Sequence, residues 1–207
     1  MPAPELWLRG GTKRAIDVVG AVVGLVGTSP VTIAVALAVR LRLGSPVLFR
    51  QERAGQDGAS ITVVKFRTMT DARGPDGALL PDEQRLTRFG RALRATSFDE
   101  LPQFWSVLRG DMSLVGPRPL PMAYVDRYSP EQRRRLAARP GITGYAQVQG
   151  RNAVDWSARL AMDVWYVDNA GFLLDMKLLA KTYWVVLTRR GVSAEGHVTM
   201  HEFTGDG

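Results

Sequence analysis

The sequence predicts a mainly helical α+β protein, monotopic in a membrane. An N-terminal re-entrant segment of helix, break and helix occupies residues 1–42, and a domain with a small β-hairpin and interfacial helices occupies residues 43–207. Three observations lead to this reading. The apolar run from Ala15 to Val39 exceeds the roughly 20 residues a membrane helix needs and is broken near its middle by Ser29-Pro30. Two short β-rich segments flank a turn-rich stretch. The rest of the chain is dominated by segments whose apolar residues recur at helical spacing.

Lys13 and Arg14 precede the apolar run and Arg40 and Arg42 follow it. Cationic flanks favour the cytoplasmic side, so both ends belong on that side. Pro30 removes one backbone hydrogen bond and crowds the preceding turn, Gly20, Gly24 and Gly27 loosen the first half, and Asp17 sits near its start. A helix bent at Ser29-Pro30 enters one leaflet and returns. A kinked helix that spans the bilayer has the same length and tolerates the proline equally well, so the run alone leaves both arrangements open. A cleaved signal peptide fits poorly. Ala36-Leu37-Ala38 resembles a cleavage site, but the run is far longer than the roughly 7 to 15 apolar residues of a signal.

Pro46–Gln51 and Ile61–Phe66 are predicted strands, joined through Ala54-Gly55-Gln56-Asp57-Gly58 as a hairpin. Asp71–Asp82 is rich in glycine, proline and charge and reads as a surface loop. Leu86, Phe89 and Leu93 then repeat at helical spacing, with most of the arginines between them on a solvated face. Ser97-Phe98-Asp99-Glu100 fits a capping box, S-x-x-E, at a helix start. Pro102 conflicts with a start at Ser97, and with Asp99 as the cap it would fall at the third helical position, so the register stays open. Leu101–Leu108 is predicted helix with Gly110 as its stop. In Gly116-Pro117-Arg118-Pro119 two prolines stiffen the backbone on either side of one arginine, which suits a phosphate clamp and equally an ordinary turn.

Tyr124–Ala138 reads as a polar helix interrupted near Pro130 and closing on Arg133-Arg134-Arg135. Arg139-Pro140-Gly141-Ile142-Thr143-Gly144 is a tight loop whose amides could face an anion. Asp155–Val167 and Leu173–Leu187 are predicted helices, the second with Tyr183 and Trp184 close to Arg189-Arg190, a pattern suited to a membrane interface as well as to a soluble core.

A chain of 207 residues with 45% apolar content supports one domain with a real core, or one domain plus a membrane element, and argues against two full domains. The net charge of +7 calls for a polyanionic partner: nucleic acid, an anionic lipid surface or a phosphorylated substrate. The absence of cysteine removes disulfides and thiolate metal sites. Asp99 and Glu100 stand between Arg85, Arg88, Arg91 and Arg94 on one side and Arg109 and Arg118 on the other. Guanidinium groups nearby keep a carboxylate ionised, able to attack phosphorus or hold a metal. There is no G-x-x-x-x-G-K-[ST], no G-x-G-x-x-G after a strand and no H-E-x-x-H; His197 and His201 have helical spacing in a polar tail but no third ligand nearby.

Taken in order, Ser29-Pro30, Lys65-Phe66-Arg67-Thr68-Met69, Ser97-Phe98-Asp99-Glu100-Leu101-Pro102-Gln103, Gly110–Pro119 and Arg139–Gly144 resemble the bacterial sugar transferases, which are monotopic phosphoglycosyl transferases. Gly150-Arg151-Asn152 and the tail Gly191–Thr199 resemble their small, PglC-like group. The resemblance implies transfer of a sugar 1-phosphate from a UDP-sugar to polyprenyl (undecaprenyl) phosphate, with release of UMP, at the cytoplasmic face of the bacterial inner membrane. It implies Asp99 as nucleophile, Glu100 as ligand of Mg²⁺, Ser29 and Pro30 as the helix break, and Lys65, Arg67, Arg94, Arg118 and Arg151 as substrate-binding residues. Asp175 matches a family acid without a fixed role. Membrane lipids are implied partners and nucleic acid is not. The tail favours an N-acetylated sugar over UDP-glucose or UDP-galactose. The rival reading, a basic membrane-binding protein without catalysis, accounts for the charge and the apolar run but not for the two acids and Arg118 occurring together.

Overall fold

The computed structural model describes residues 4–149, 155–188 and 202–205. A short helix α1, Pro4–Leu8, leads into α2, Gly11–Leu43. Helix α2 is long and apolar enough to cross a membrane. Its buried residues form two runs at four-residue spacing, Lys13, Asp17 and Ala21 at one end and Val35 and Val39 at the other, whereas Val19, Val22, Val23, Val26, Ile33, Leu37 and Leu41 face outward.

Ser29-Pro30 does not divide α2 into two helices, because Pro30 lies inside one continuous helix. The proline cannot donate to the carbonyl of Val26, four residues back. The Ser29 hydroxyl donates to that same carbonyl at 2.8 Å, and Thr28 Oγ donates to Gly24 O at 2.7 Å. The carbonyl orphaned by the proline is thereby satisfied within the helix.

Both ends of α2 are held by the rest of the fold. At its start Lys13 Nζ donates to Asp175 Oδ2 at 2.6 Å and to Val115 O at 3.1 Å. The indole N–H of Trp7 and the hydroxyl of Tyr166 complete the acceptor sites of Asp175, at 3.1 and 2.8 Å. One turn on, Asp17 Oδ1 accepts from Ser113 Oγ and Leu114 N, each at 2.9 Å. At the far end Gly44, with φ +78°, turns the chain out of the helix, and the Arg67 guanidinium donates to the carbonyls of Leu43 and Ser45.

The hairpin pairs β1, Leu48–Ala54, with β2, Ser60–Phe66, in antiparallel register from Leu48↔Phe66 to Ala54↔Ser60. It runs further toward the turn than the sequence suggests, because Glu52–Ala54 find partners in Ser60–Thr62. After the loop come α3, Asp82–Arg85, and α4, Arg88–Ala95, the latter capped by Thr87 Oγ1 accepting from Gly90 N. Helix α5, Gln103–Arg109, ends on Gly110 at φ +96°. Arg14 donates to the carbonyls of Val107 and Leu108 at its C-terminus, where a cation is favoured.

Strand β3, Ser113–Val115, pairs in parallel with β4, Gly141–Thr143. The segment read as a tight loop is therefore a strand with its flanks. Gly116 makes the join possible: a Cβ there would lie 2.2 Å from Arg139 O, and one on Gly141 would lie 2.1 Å from Gly116 N. Between the strands, Tyr124–Ala138 is not a polar helix but a 3₁₀ turn over Met122–Arg127, helix α6 over Pro130–Arg133 and a second 3₁₀ turn over Arg134–Ala137. Helices α7, Tyr145–Gln149, α8, Trp156–Asn169, and α9, Phe172–Thr188, complete the body. Trp7, Val107, Met112, Val115, Tyr166 and Leu178 lie in the main core. Phe172, Leu173, Tyr183 and Trp184 of α9 are exposed, as are Phe98 and Trp105.

Gly116→Ala should destabilise the fold by about 1–3 kcal/mol or more, since the added methyl meets backbone that cannot rotate away. Thermal unfolding of the detergent-solubilised protein checks this; an unchanged midpoint would mean that the β3–β4 junction relaxes freely.

Candidate active site

The two acids sit on a single 3₁₀ turn, Phe98–Glu100, between α4 and α5. The capping box expected at Ser97 does not form. Ser97 has φ +57°, its side chain makes no cap hydrogen bond, and its N–H donates to Arg94 O at 3.1 Å, so it closes α4 instead of opening the next helix. Helix α5 starts behind Pro102, which lacks a donor to give. A capping box does occur at Ser129-Pro130-Glu131-Gln132, where the proline takes the first helical position.

Glu100 is the centre of the charge cluster. Its Oε1 meets Lys65 Nζ, from the end of β2, and Arg118 Nη2 at 3.0 Å, from the segment after β3. Although burial pushes the Glu100 carboxyl up, the charges and hydrogen bonds of these two cations bring it down to about 2. Asp99 is only 6% exposed and, among the described residues, makes no ion pair. Burial first and the Glu100 charge second raise its carboxyl to about 6, against the opposing pull of Lys65, Arg94 and Arg118. The sequence expectation that arginines hold Asp99 low is thus corrected: direct pairing belongs to Glu100. Asp99 stays mostly ionised at neutral pH and is close enough to its midpoint to retain basicity.

The neighbouring segments fix these cations in place. Arg94, in the last turn of α4, donates through Nε to Thr68 Oγ1 at 3.1 Å. Gly90 lets α4 lie on the backbone of Thr68, since a Cβ there would fall 1.8 Å from Thr68 O. Arg118 is held through its main chain: Pro117 O accepts from Gly141 N at 3.0 Å, and Arg118 O accepts from Arg135 Nη2 at 2.7 Å. Arg135 is itself buried against Asp163, with Nε and Nη2 at 3.0 and 2.7 Å from Oδ2, and donates to Tyr128 OH at 3.2 Å. Burial pushes the Asp163 carboxyl up despite this pairing.

The structure brings Lys65, Arg94 and Arg118 to the acids, and leaves Arg67 away from them. Arg67 is buried at the end of α2, bound to main-chain carbonyls and at 3.3 Å from Asp71. Arg151 lies outside the described residues, as do His197 and His201. Arg88, Arg91 and Arg109 are exposed, and Arg109 pairs with Asp111 at 2.7 Å. Sequence reasoning missed the Arg135–Asp163 pair, which is hidden in an ordinary basic run. Lys13 and Asp17 carried a usable signal: charges four residues apart, in step with Ala21, occupy one helix face.

A helical protein with a long apolar helix and two adjacent acids, one of them held by Lys65 and Arg118, is the framework on which the comparisons bear. Residues 8–189 match the family described as Bacterial sugar transferase, and the chain belongs to it. It is 51% identical over 195 residues to "Uncharacterized sugar transferase EpsL" of Bacillus subtilis (strain 168), covering 94% of this chain and 96% of that protein. It is 44% identical over 186 residues to the UDP-glucose:undecaprenyl-phosphate glucose-1-phosphate transferase of Caulobacter vibrioides, covering 85% and 70%. It is 36% identical over 187 residues to the UDP-N-acetylgalactosamine-undecaprenyl-phosphate N-acetylgalactosaminephosphotransferase of Aeromonas hydrophila, covering 86% and 44%.

The two acids should respond oppositely to neutralisation. A carboxyl raised on folding contributes stability below its unfolded value and loses it as pH rises through the folded one, so at pH 7.5 the charge on Asp99 is a net cost. Asp99→Asn should therefore stabilise the protein by roughly 1–3 kcal/mol at pH 7.5, with the gain vanishing near pH 4. Glu100→Gln, which leaves Lys65 and Arg118 without their acid, should destabilise it by about 3–5 kcal/mol. Thermal melts at both pH values measure this, and equal effects at the two positions would contradict the division of roles.

Proposed function

We propose that this chain is a phosphoglycosyl transferase: it moves a sugar 1-phosphate from a UDP-sugar to undecaprenyl phosphate and releases UMP, with Asp99 as the covalent nucleophile. The observation that carries the reading is the contrast between adjacent carboxylates, one neutralised by Lys65 and Arg118 and the other buried beside it without an ion pair among the described residues. A carboxylate approaching a diphosphate must overcome repulsion. Arg94, Arg118 and Lys65 offset that repulsion around the attacked phosphorus. An Asp99 oxygen forms a bond to the phosphorus that bears the sugar, and the bond from that phosphorus to the bridging oxygen breaks, so UMP leaves with the bridging oxygen. An oxygen of the lipid phosphate then bonds to the same phosphorus and the Asp99 carboxylate is restored. The acyl phosphate conserves the energy of the broken linkage, which makes both steps nearly balanced.

Mg²⁺ fits this site as part of the proposal. The ion commonly takes one or two carboxylates and completes its shell with substrate phosphates and water. Glu100 stays ionised far below neutral pH, and both of its cations meet Oε1, so Oε2 is the oxygen offered to a metal. Among the described residues no group of three or more acids or histidines forms a closed cage, in keeping with an ion that relies on substrate oxygens. When bound, the ion would neutralise diphosphate charge and polarise the phosphorus.

We also place the protein at the cytoplasmic face of the membrane with α2 re-entrant. What supports this is that one body holds both ends of α2, through Lys13 and Asp17 at the start and Val39 and Arg67 at the end. An N-acetylated donor is favoured by the tail, and UDP-glucose is the second reading because of the name of the Caulobacter relative.

Wild-type protein given Mg²⁺ and a panel of UDP-sugars should release UMP from one donor class before any lipid is added, and Asp99→Asn should release none. Activity should rise with pH and reach half its plateau near pH 6, because protonated Asp99 cannot attack. Membrane-bound protein inert toward every donor would instead favour a basic lipid-binding protein.

A further inference from the structure

The hairpin register puts Phe49, Gln51 and Arg53 of β1 on the same sheet face as Lys65, Val63 and Ile61 of β2. Lys65 opens that face at Glu100. Arg53 lies at the other end, four residues past the partner of Lys65 and so roughly 13 Å along the strand. Its main chain is brought against the segment that follows Arg118: Arg53 bridges Pro121, and Ala54 N donates to Leu120 O at 2.9 Å. Arg159 approaches from α8 with its guanidinium 5.7 Å from the Trp156 ring centre, one turn before Asp163, whose partner Arg135 holds the carbonyl of Arg118.

Burial, and then the charge of Arg118, lower the guanidinium of Arg53 and that of Arg159 from their usual value. Arg53 spends one donor on a neutral group, Gln51 Oε1 at 2.5 Å. Half-buried guanidinium groups that repel one another in this way are stabilised by an oxyanion, and their fixed forks match phosphate oxygens.

We propose that Arg53 and Arg159, together with Arg118, form a second phosphate subsite that holds the phosphate group not under attack by Asp99. The subsite deepens the transferase reading above and rests on it for the source of that phosphate. Two sources share the chemistry: the nucleotide phosphate of the donor and the headgroup of the lipid acceptor.

The test uses the full chain in detergent, with Arg53→Gln, Arg159→Gln and the double variant, each checked for a wild-type melting transition. Arg53→Lys and Arg159→Lys serve where a glutamine variant fails to fold. In the first arm UMP and UDP are titrated calorimetrically without turnover, at low and high salt. In the second, KM for polyprenyl phosphate is measured at saturating donor. The double variant should weaken one of the two by at least about tenfold, with a shallower salt dependence, and the lysine variants should fall between it and the wild type. Loss in the first arm assigns the subsite to the nucleotide, and loss in the second assigns it to the lipid. If both values stay within about twofold of wild type, the proposal is overturned. Arginine-dependent UDP binding by a protein that releases no UMP from any UDP-sugar would keep the anion site and overturn the transferase reading instead.

Discussion

Glu100 held between Lys65 and Arg118 is the interaction on which the rest of the site depends. On a 3₁₀ turn successive side chains diverge by about 120°, so one acid collects the positive charge while its neighbour is left for chemistry. Lys65 comes from a strand end and Arg118 from a proline-braced segment, so neither cation depends on a mobile loop. The cost is carried by Asp99, whose charge is disfavoured by burial and by the acid next to it. Such a group gains by transferring its charge density to an electrophile.

The anchoring of α2 serves the same end. Lys13 is buried with Asp175 and Asp17 with the start of β3, so the first turns of the apolar helix are part of the domain core. Val115 O accepts from Lys13 and from Tyr166, and the next residues lead to Gly116 and Arg118. Helix α2 and the segment that carries Arg118 are thus built on one short strand. A displacement of α2 would be felt three residues from the guanidinium that grips Glu100.

Much of this was legible in the sequence where local signals suffice. The hairpin followed from β-rich runs around Gly55–Gly58 and α5 from its apolar pattern and Gly110, and the predicted helix from Asp155 is α8, where the Asp155 side chain acts as the cap by accepting from Ala158 N at 2.7 Å. The β3–β4 pair was not legible, because three-residue strands carry no periodicity and their register is set by a glycine contact between distant segments. Arg67 looked like a phosphate ligand because it shares a motif with Lys65, yet it lies just past the end of β2 and its guanidinium donates to main-chain carbonyls at the end of α2. Asp175 had no assignable role until Lys13, Trp7 and Tyr166 were seen to converge on it. Pairings between residues so far apart in the chain leave no local trace.

The central claim is that Asp99 captures a phosphosugar. Protein incubated with Mg²⁺ and its UDP-sugar, with no lipid acceptor, is quenched in acid within seconds, digested and weighed by mass spectrometry. The account predicts the added mass of the sugar phosphate on the peptide that contains Asp99. UMP released with no adduct, or with the adduct on another side chain, would contradict it.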